Sequence, residues 1–303
     1  MKLNDANRDV RPAVAFLLPN LLGFLVFTAG PVAVSLYLSF TSWDALSRPH
    51  WIGLANFTGL FGFHGTPQGW QANDPEFWQY LGNTLFMLLA LPLNIAGSLV
   101  LALALNRKLR FTAAYRLVYF LPSILYGAAI FYLWKYMFEP NYGLFNALLA
   151  RMDLPGPSWL QNPALAKPSL IFMTLWMKVG GLSMVVYLAA LQGVSEELHE
   201  AARIDGANRW QQFWHVTWPA LRPATFFIVT IELIYGLQSG FDTAYIMTDG
   251  GPYGSTTTLG YYVYLKAFRF FELGYASAIA WVIFFITLAV TLVNWRRGGS
   301  EGA

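Results

Sequence analysis

Apolar residues in this chain fall into long unbroken runs rather than into stripes or alternations. Runs over 12–40, 80–105, 114–138, 168–192, 224–247 and 272–295 each exceed the roughly 20 residues an α-helix needs to cross a bilayer core. The pattern predicts an all-α polytopic membrane protein of six transmembrane helices over 12–297, between a polar segment 1–11 and a tail 298–303. Prolines interrupt several runs. Pro19 and Gly30-Pro31 predict a kinked first span, Pro92 lies mid-way in the second, and Pro122 is expected to break the third. In a membrane such breaks are tolerated where neighbouring helices satisfy the freed backbone groups. Segments 41–79, 139–167 and 248–271, rich in Gly, Pro and aromatic residues, read as loops.

One connection is polar throughout, at 193–222. Ser195 is a predicted helix N-cap, and Glu196 and Glu197 place acids in the first turn, where the helix dipole favours them. Gly206 is the predicted stop, because only glycine enters the left-handed conformation freely. Ala207–His215 then predicts a second short helix, with Pro219 and Pro223 interrupting the chain before the fifth span.

Composition agrees with lipid as the surrounding solvent. Of 303 residues, 56% are hydrophobic and 12% charged, with mean hydropathy +0.44, against about 25% charged in a soluble domain. The net charge of +3 is not clustered as nucleic-acid binding requires. There is no cysteine, which excludes disulfides, thiol catalysis and cysteine-ligated metal. Histidines 50, 64, 199 and 215 are scattered without metal-ligand spacing. Cytoplasmic loops are enriched in Lys and Arg. Twelve of the nineteen (Lys2, Arg8, Arg11, Arg107, Lys108, Arg110, Arg116, Arg203, Arg209, Arg222, Arg296 and Arg297) lie in the termini and the second and fourth connections, against five in the other connections. Both termini and 193–222 are therefore expected in the cytoplasm.

The polar segment carries Glu200-Ala201-Ala202, then Gly206, then Val216-Thr217-Trp218-Pro219. This resembles the EAA loop of ABC importer permeases, written Glu-Ala-Ala, three residues, Gly, nine residues, Ile-x-Leu-Pro, with Val216 and Trp218 departing from the pattern. Trp51–Phe57, Asn83-Thr84, Tyr119–Pro122, Trp159-Leu160, Leu188–Gln192, Phe241-Asp242, Thr248–Pro252 and Gly274–Ala278 look like the same family's sugar-importer subunits, of the MalF-like type. The resemblance covers about 12–297. It implies a type I importer fold that forms half of an alternating-access pathway for a sugar or sugar-like solute. It also implies a second homologous permease subunit, a cytoplasmic ABC ATPase dimer, an extracytoplasmic solute-binding protein, and residence in a bacterial or archaeal cytoplasmic membrane. No phosphate loop of the G-x-x-x-x-G-K-[ST] kind occurs. ATP and Mg²⁺ are thus expected on the separate ATPase, and this chain is expected to hold no cofactor, metal or catalytic residue.

On that resemblance the ATPase-coupling residues are Glu200, Ala201, Ala202, Asp205, Gly206, Phe213 and Pro219. Trp210, Phe213, Trp214 and Trp218 share one helical face, as an apolar plug for the ATPase or as an interfacial belt. Lys178 and Glu232 fall near mid-span, where ionisable groups face an interior or a partner. They either line the solute path or form a structural ion pair. Tyr235, Gln238, Ser239 and Asp242 give the fifth span a polar stretch, with Gly236 and Gly240 opening space beside it, suited to a sugar or equally to interhelical hydrogen bonds. A self-contained secondary carrier or channel is the alternative. It leaves the 200–219 pattern unexplained, and no internal repeat supports it.

Overall fold

The computed structural model describes residues 6–67, 69–107, 110–125, 127–238 and 240–298. Ser239, Lys2, Lys108 and residues 299–303 of the tail lie outside them. Four helical stretches are long and apolar enough to cross a membrane: Val14–Ser39, Pro75–Leu105, Arg209–Gln238 and Leu273–Arg296. Two bent pairs, Thr112–Ile124 with Ala128–Met137 and Pro163–Lys178 with Leu182–Gln192, make up to six among the described residues. The chain divides into two compact units, Met1–Asp74 with Val263–Val282, and Pro75–Tyr262 with Ile283–Ala303.

In the first unit, α1 (Ala6–Phe24) continues through a π-helical turn, Leu25–Ala29, into α2 (Gly30–Ser39). Strands β1 (Thr41–Ser42) and β2 (His50–Trp51) pair antiparallel, α3 (Ala55–Phe61) follows, and β3 (Phe63–Thr66) and β4 (Gly69–Ala72) form a hairpin. The segment read as a loop over 41–79 is therefore partly structured. Buried Asn56 ties it together, donating to the carbonyls of Ser39 and Thr41 at 2.8 and 2.9 Å. Tyr275 donates to Asp74 at 2.5 Å, and the Leu273 N–H bonds the Trp43 carbonyl. A Cβ at Gly274 would run into the carbonyl of Thr41. These contacts account for the Asn56 and Gly274-Tyr275 motifs as packing residues.

The second unit opens with α4 (Pro75–Met87) and α5 (Ala90–Leu105), then α6 (Thr112–Ile124), α7 (Ala128–Met137), α8 (Leu144–Ala150), α9 (Pro163–Lys178) and α10 (Leu182–Gln192). The polar segment supplies α11 (Glu196–Ile204) and α12 (Arg209–Gln212), which leads through a π-turn, Phe213–Thr217, into α13 (Trp218–Gln238). A third π-turn, Thr243–Thr248, precedes α14 (Leu259–Tyr264), and α15 (Leu273–Gly298), whose residues up to Val282 belong to the first unit, is the last helix among the described residues. One core joins α5, α10 and α13 through Ala102, Leu105, Met184, Tyr187, Leu188, Leu191, Leu221 and Ile228. Another joins α7, α9 and the third π-turn around Trp134, Leu170, Met173 and Met247.

Prolines break this fold less than expected. Pro122 sits inside α6, and the break comes later, at Gly127, whose φ is +107°. Pro219 and Pro223 interrupt nothing, since Arg209–Gln238 is one continuous helical stretch. A helical proline collides with the carbonyl four residues before it. Here the residue preceding Pro219, Trp218, donates to Phe213 five residues back, and that wider turn moves the offending carbonyl aside. Pro31 uses the same device, with Gly30 donating to Leu25. Glycine makes the real breaks. Gly180, φ +93°, bends the fourth span by 45°, and its missing Cβ admits the Tyr119 carbonyl, which a Cβ would meet at 2.6 Å. The fifth span ends at Gln238 rather than 247, with Gly240 at φ +111°.

Much of the stretch over 248–262 is packed structure rather than an open loop, with Thr256, Thr257, Thr258, Leu259, Tyr261 and Tyr262 buried. Asn83 on α4 donates to the carbonyls of Gly254 and Thr257 at 2.8 and 3.0 Å and accepts from Lys167 at 3.1 Å, while Thr84 accepts from the Leu259 N–H at 2.9 Å. Asn83→Ala would strand two buried carbonyls and the Lys167 ammonium, at an expected cost of about 1–3 kcal/mol. The check is a lowered unfolding temperature of the purified membrane complex, with Asn83→Asp recovering less than half of the loss because it restores no donor.

Candidate functional site

Two features stand out in the second unit, a capped polar segment at one end of α13 and a largely apolar cavity with a few polar groups beside its later turns. The polar segment is built as its residues dictate. Ser195 accepts from the Glu197 N–H at 3.2 Å and caps α11. At the other end, Gly206 takes φ +80°. Its N–H bonds the Arg203 carbonyl, and the Ala207 N–H reaches back to Ala202 at 2.9 Å. These paired bonds form the Schellman ending that needs a left-handed residue. Asn208 then caps α12 in a reciprocal box with Gln211, at 2.8 and 2.9 Å. This cap, an Asn with a Gln three residues on, sets the second helix start at Arg209 rather than Ala207. The spacing carried that signal.

Glu200 and Ala201 are exposed, Ala202 is half-buried, and Asp205 is the C-cap residue. Glu200 lies 3.9 Å from Arg203, which makes its closer bond, 3.0 Å, to Glu196. Leu198 and Ile204, 56% and 86% exposed, add bare apolar side chains to α11 that motif spacing does not single out. Phe213 packs among Trp210, Trp214 and Trp218, with ring centroids 5.2–6.3 Å apart. The four rings lie together as the helical spacing required. Pro219 is the second residue of α13.

The cavity measures about 440 Å³ and lies among α4, α5, α6, α7, α9, α10, α13 and the turn after α13, within the roughly 300–1,000 Å³ typical of small-molecule sites. Lys178, Glu232, Tyr235 and Asp242 line it, as do Thr84, Asn94, Ser123, Thr174 and Thr258. Gln238 is exposed and does not line it. Lys178 and Glu232 are paired at 2.9 Å, with side chains 38% and 16% exposed, so the pair lines the cavity and bridges two helices at once. Ser183 donates to the other Glu232 oxygen at 3.5 Å. Gly236 and Gly240 both line the cavity. A Cβ on Gly236 would meet Leu88 at 2.6 Å, and one on Gly240 would meet Thr258 at 2.8 Å, so both glycines admit close neighbours.

Asn94 was not singled out from its sequence and is the most informative wall residue. It is 1% exposed, its carbonyl oxygen accepts from Ser98 at 3.3 Å, and its amide nitrogen has no partner among the described residues. An amide among the apolar residues 85–105, where Ser98 is the other polar side chain, was the available signal, because polar groups inside a membrane are costly. The cavity therefore offers an ion pair, hydroxyls and a tyrosine against walls of Met, Leu and Phe, with the Asn94 amide buried just behind its surface.

The family described as the binding-protein-dependent transport system inner membrane component matches residues 94–296. The chain belongs to this family. It is 37% identical over 300 residues to the probable ABC transporter permease protein YesP of Bacillus subtilis, covering 97% of this chain and 93% of that one. It is 34% identical over 286 residues to the lactose transport system permease protein LacF of Rhizobium radiobacter, covering 92% and 91%. A crystal structure of a bacterial ABC transporter involved in the import of the acidic polysaccharide alginate superposes with TM-score 0.83 at 25% identity, covering 99% of both chains. The chain is thus a multi-pass membrane component of an ABC transport system, and its helices follow an importer permease fold. Apolar side chains exposed on its spans, such as Phe16 and Phe27, suit a surface in hydrocarbon.

Proposed function

We propose that this chain is one of two homologous permease subunits of an ATP-driven importer for a sugar or sugar-like solute, in a bacterial or archaeal cytoplasmic membrane. An extracytoplasmic binding protein delivers the solute, and a cytoplasmic ABC ATPase dimer binds ATP and Mg²⁺. This chain carries no ATPase site of its own. A relative named for lactose transport and a structural neighbour involved in alginate import support the carbohydrate class. The observation that carries the reading is one continuous helical stretch, Arg209–Gln238, which leaves the Gly206 turn and brings Glu232 to the cavity wall. Glu232 lies 23 residues along it from Arg209, about 35 Å at 1.5 Å per residue.

In this reading 200–219 docks in a cleft on the ATPase. Exposed Leu198, Ala201 and Ile204 supply apolar contact, Glu200 supplies charge, and Asp205, Phe213 and Pro219 hold the segment's shape. ATP-driven closure of the ATPase dimer displaces the docked segment, α13 carries the displacement to the cavity, and the cavity opens to the opposite side. Such exchange of two packed arrangements is the usual form of a membrane switch. Lys178, Glu232, Tyr235, Asp242 and Asn94 meet the solute, planar polar groups taking hydroxyls and Tyr235 offering a ring face. Gln238 stays a candidate only for another conformation, and Ser239 stays a candidate on its sequence position alone.

Because the chain lacks cysteine, Ala202→Cys can be crosslinked to single cysteines around the ATPase cleft in the assembled complex. The expected result is a crosslink whose yield changes with ATP. Absence of a crosslink at every cleft position, with both proteins in the membrane, removes the coupling role.

A further inference from the structure

A second cavity, which shares no lining residue with the first, lies between α6 and α10. It measures about 450 Å³ and is amphipathic along its length. Phe120, Met184, Val185 and Leu188 form its apolar wall, and Arg116 and Gln192 are its polar members. Both polar residues lie at one end. Gln192 closes α10, next to Leu191, which shares a core with Leu105 at the end of α5. Arg116 stands in the first turns of α6, just after the short connection from α5. The apolar wall runs from there for two turns of α10, from Gln192 to Met184, about 12 Å.

Arg116 makes the groove more than a gap in packing. Its Nε is buried and has no hydrogen-bond partner among the described residues. An unpartnered Nε leaves this guanidinium short of a hydrogen bond at the end of a membrane helix, where polar groups seek partners. Exposed Arg107 and Arg110 precede it at the same end, so this end attracts anions. Val185, 43% exposed, leaves the apolar wall open at the side.

We infer that this groove binds an anionic phospholipid, with its phosphate on Arg116 and Gln192 and the start of an acyl chain against Phe120, Met184 and Val185. The gradient from cationic to apolar over two helical turns matches an amphiphile entering from a membrane surface, and basic pockets between membrane helices select acidic headgroups. A protein surface with an acid at one end would also satisfy Arg116, but only a lipid supplies phosphate and hydrocarbon together from the surrounding bilayer.

The test uses the assembled importer in lipid nanodiscs, with Val185→Cys carrying a bimane label. Brominated phosphatidylglycerol and brominated phosphatidylcholine, at equal mole fraction, report which lipid lies against the label. Phosphatidylglycerol is expected to quench more strongly. Arg116→Gln is expected to lower the apparent preference about fivefold, and Arg116→Lys to keep most of it, which separates lost charge from lost folding. Equal quenching by the two lipids in the unmodified background overturns the proposal. So does no quenching by either, which assigns the groove to the second permease subunit.

Discussion

Gly206→Pro is expected to abolish solute transport and solute-stimulated ATP hydrolysis while the chain still inserts and assembles. Gly206 holds φ +80°, and proline is fixed near −65°. Proline also removes the N–H that bonds the Arg203 carbonyl, and reorienting the turn breaks the Ala207–Ala202 bond that closes α11. A helix-ending defect of about 3 kcal/mol reduces the population of the docked shape roughly a hundredfold, since 1.4 kcal/mol is a factor of ten. Gly206→Ala keeps the N–H and pays only the left-handed strain, about 1–2 kcal/mol. No neighbouring atom lies within 4 Å of the added Cβ. A graded series, glycine above alanine above proline, measured as ATP-driven uptake into proteoliposomes, ties the defect to backbone conformation. Equal uptake by all three would remove the turn from the coupling path.

That turn shows what was legible in the sequence. Ser195, Gly206 and the Glu-Ala-Ala spacing act within a few residues, and each local rule has one outcome there: a cap, a left-handed stop, an exposed helix. The long apolar runs were equally plain, because solvation by lipid leaves few alternatives to a helix. Breaks within runs were less legible. Whether Pro219 kinks a helix depends on whether the preceding turn widens, and whether Gly180 bends one depends on the Tyr119 carbonyl, which is distant in sequence. The same limit applies to the cavity. Lys178 and Glu232 announce themselves as mid-span charges, but Gln238 and Tyr235 differ in what they face by less than one turn. Asn94 reaches the cavity only because α5 packs where it does. The 248–271 stretch read as a loop because its glycines and threonines serve tertiary hydrogen bonds to Asn83 and Thr84, not local periodicity.

The Lys178–Glu232 pair separates a structural role from a transport role. Removing one member of a fully buried pair costs about 3–5 kcal/mol, mostly as the unmatched charge left behind. Lys178 is partly open to the cavity, so about 2 kcal/mol is expected here, discounted for solvent screening. Lys178→Met strands Glu232, the more buried partner, with only a 3.5 Å bond from Ser183. Glu232→Gln leaves Lys178 with access to the cavity, and it is expected to be the milder change. Both should lower the thermal stability of the purified complex, and the double variant should recover most of the loss. The exchange Lys178→Glu with Glu232→Lys restores the attraction but reverses which helix presents the cation to the cavity. If the pair only joins α9 to α13, stability and uptake return together. Because the pair lines the cavity, the expected outcome is recovered stability with uptake still reduced at least tenfold, equal to about 1.4 kcal/mol of lost solute interaction. Full recovery of uptake by the exchanged pair would make it a structural brace and remove it from the solute path.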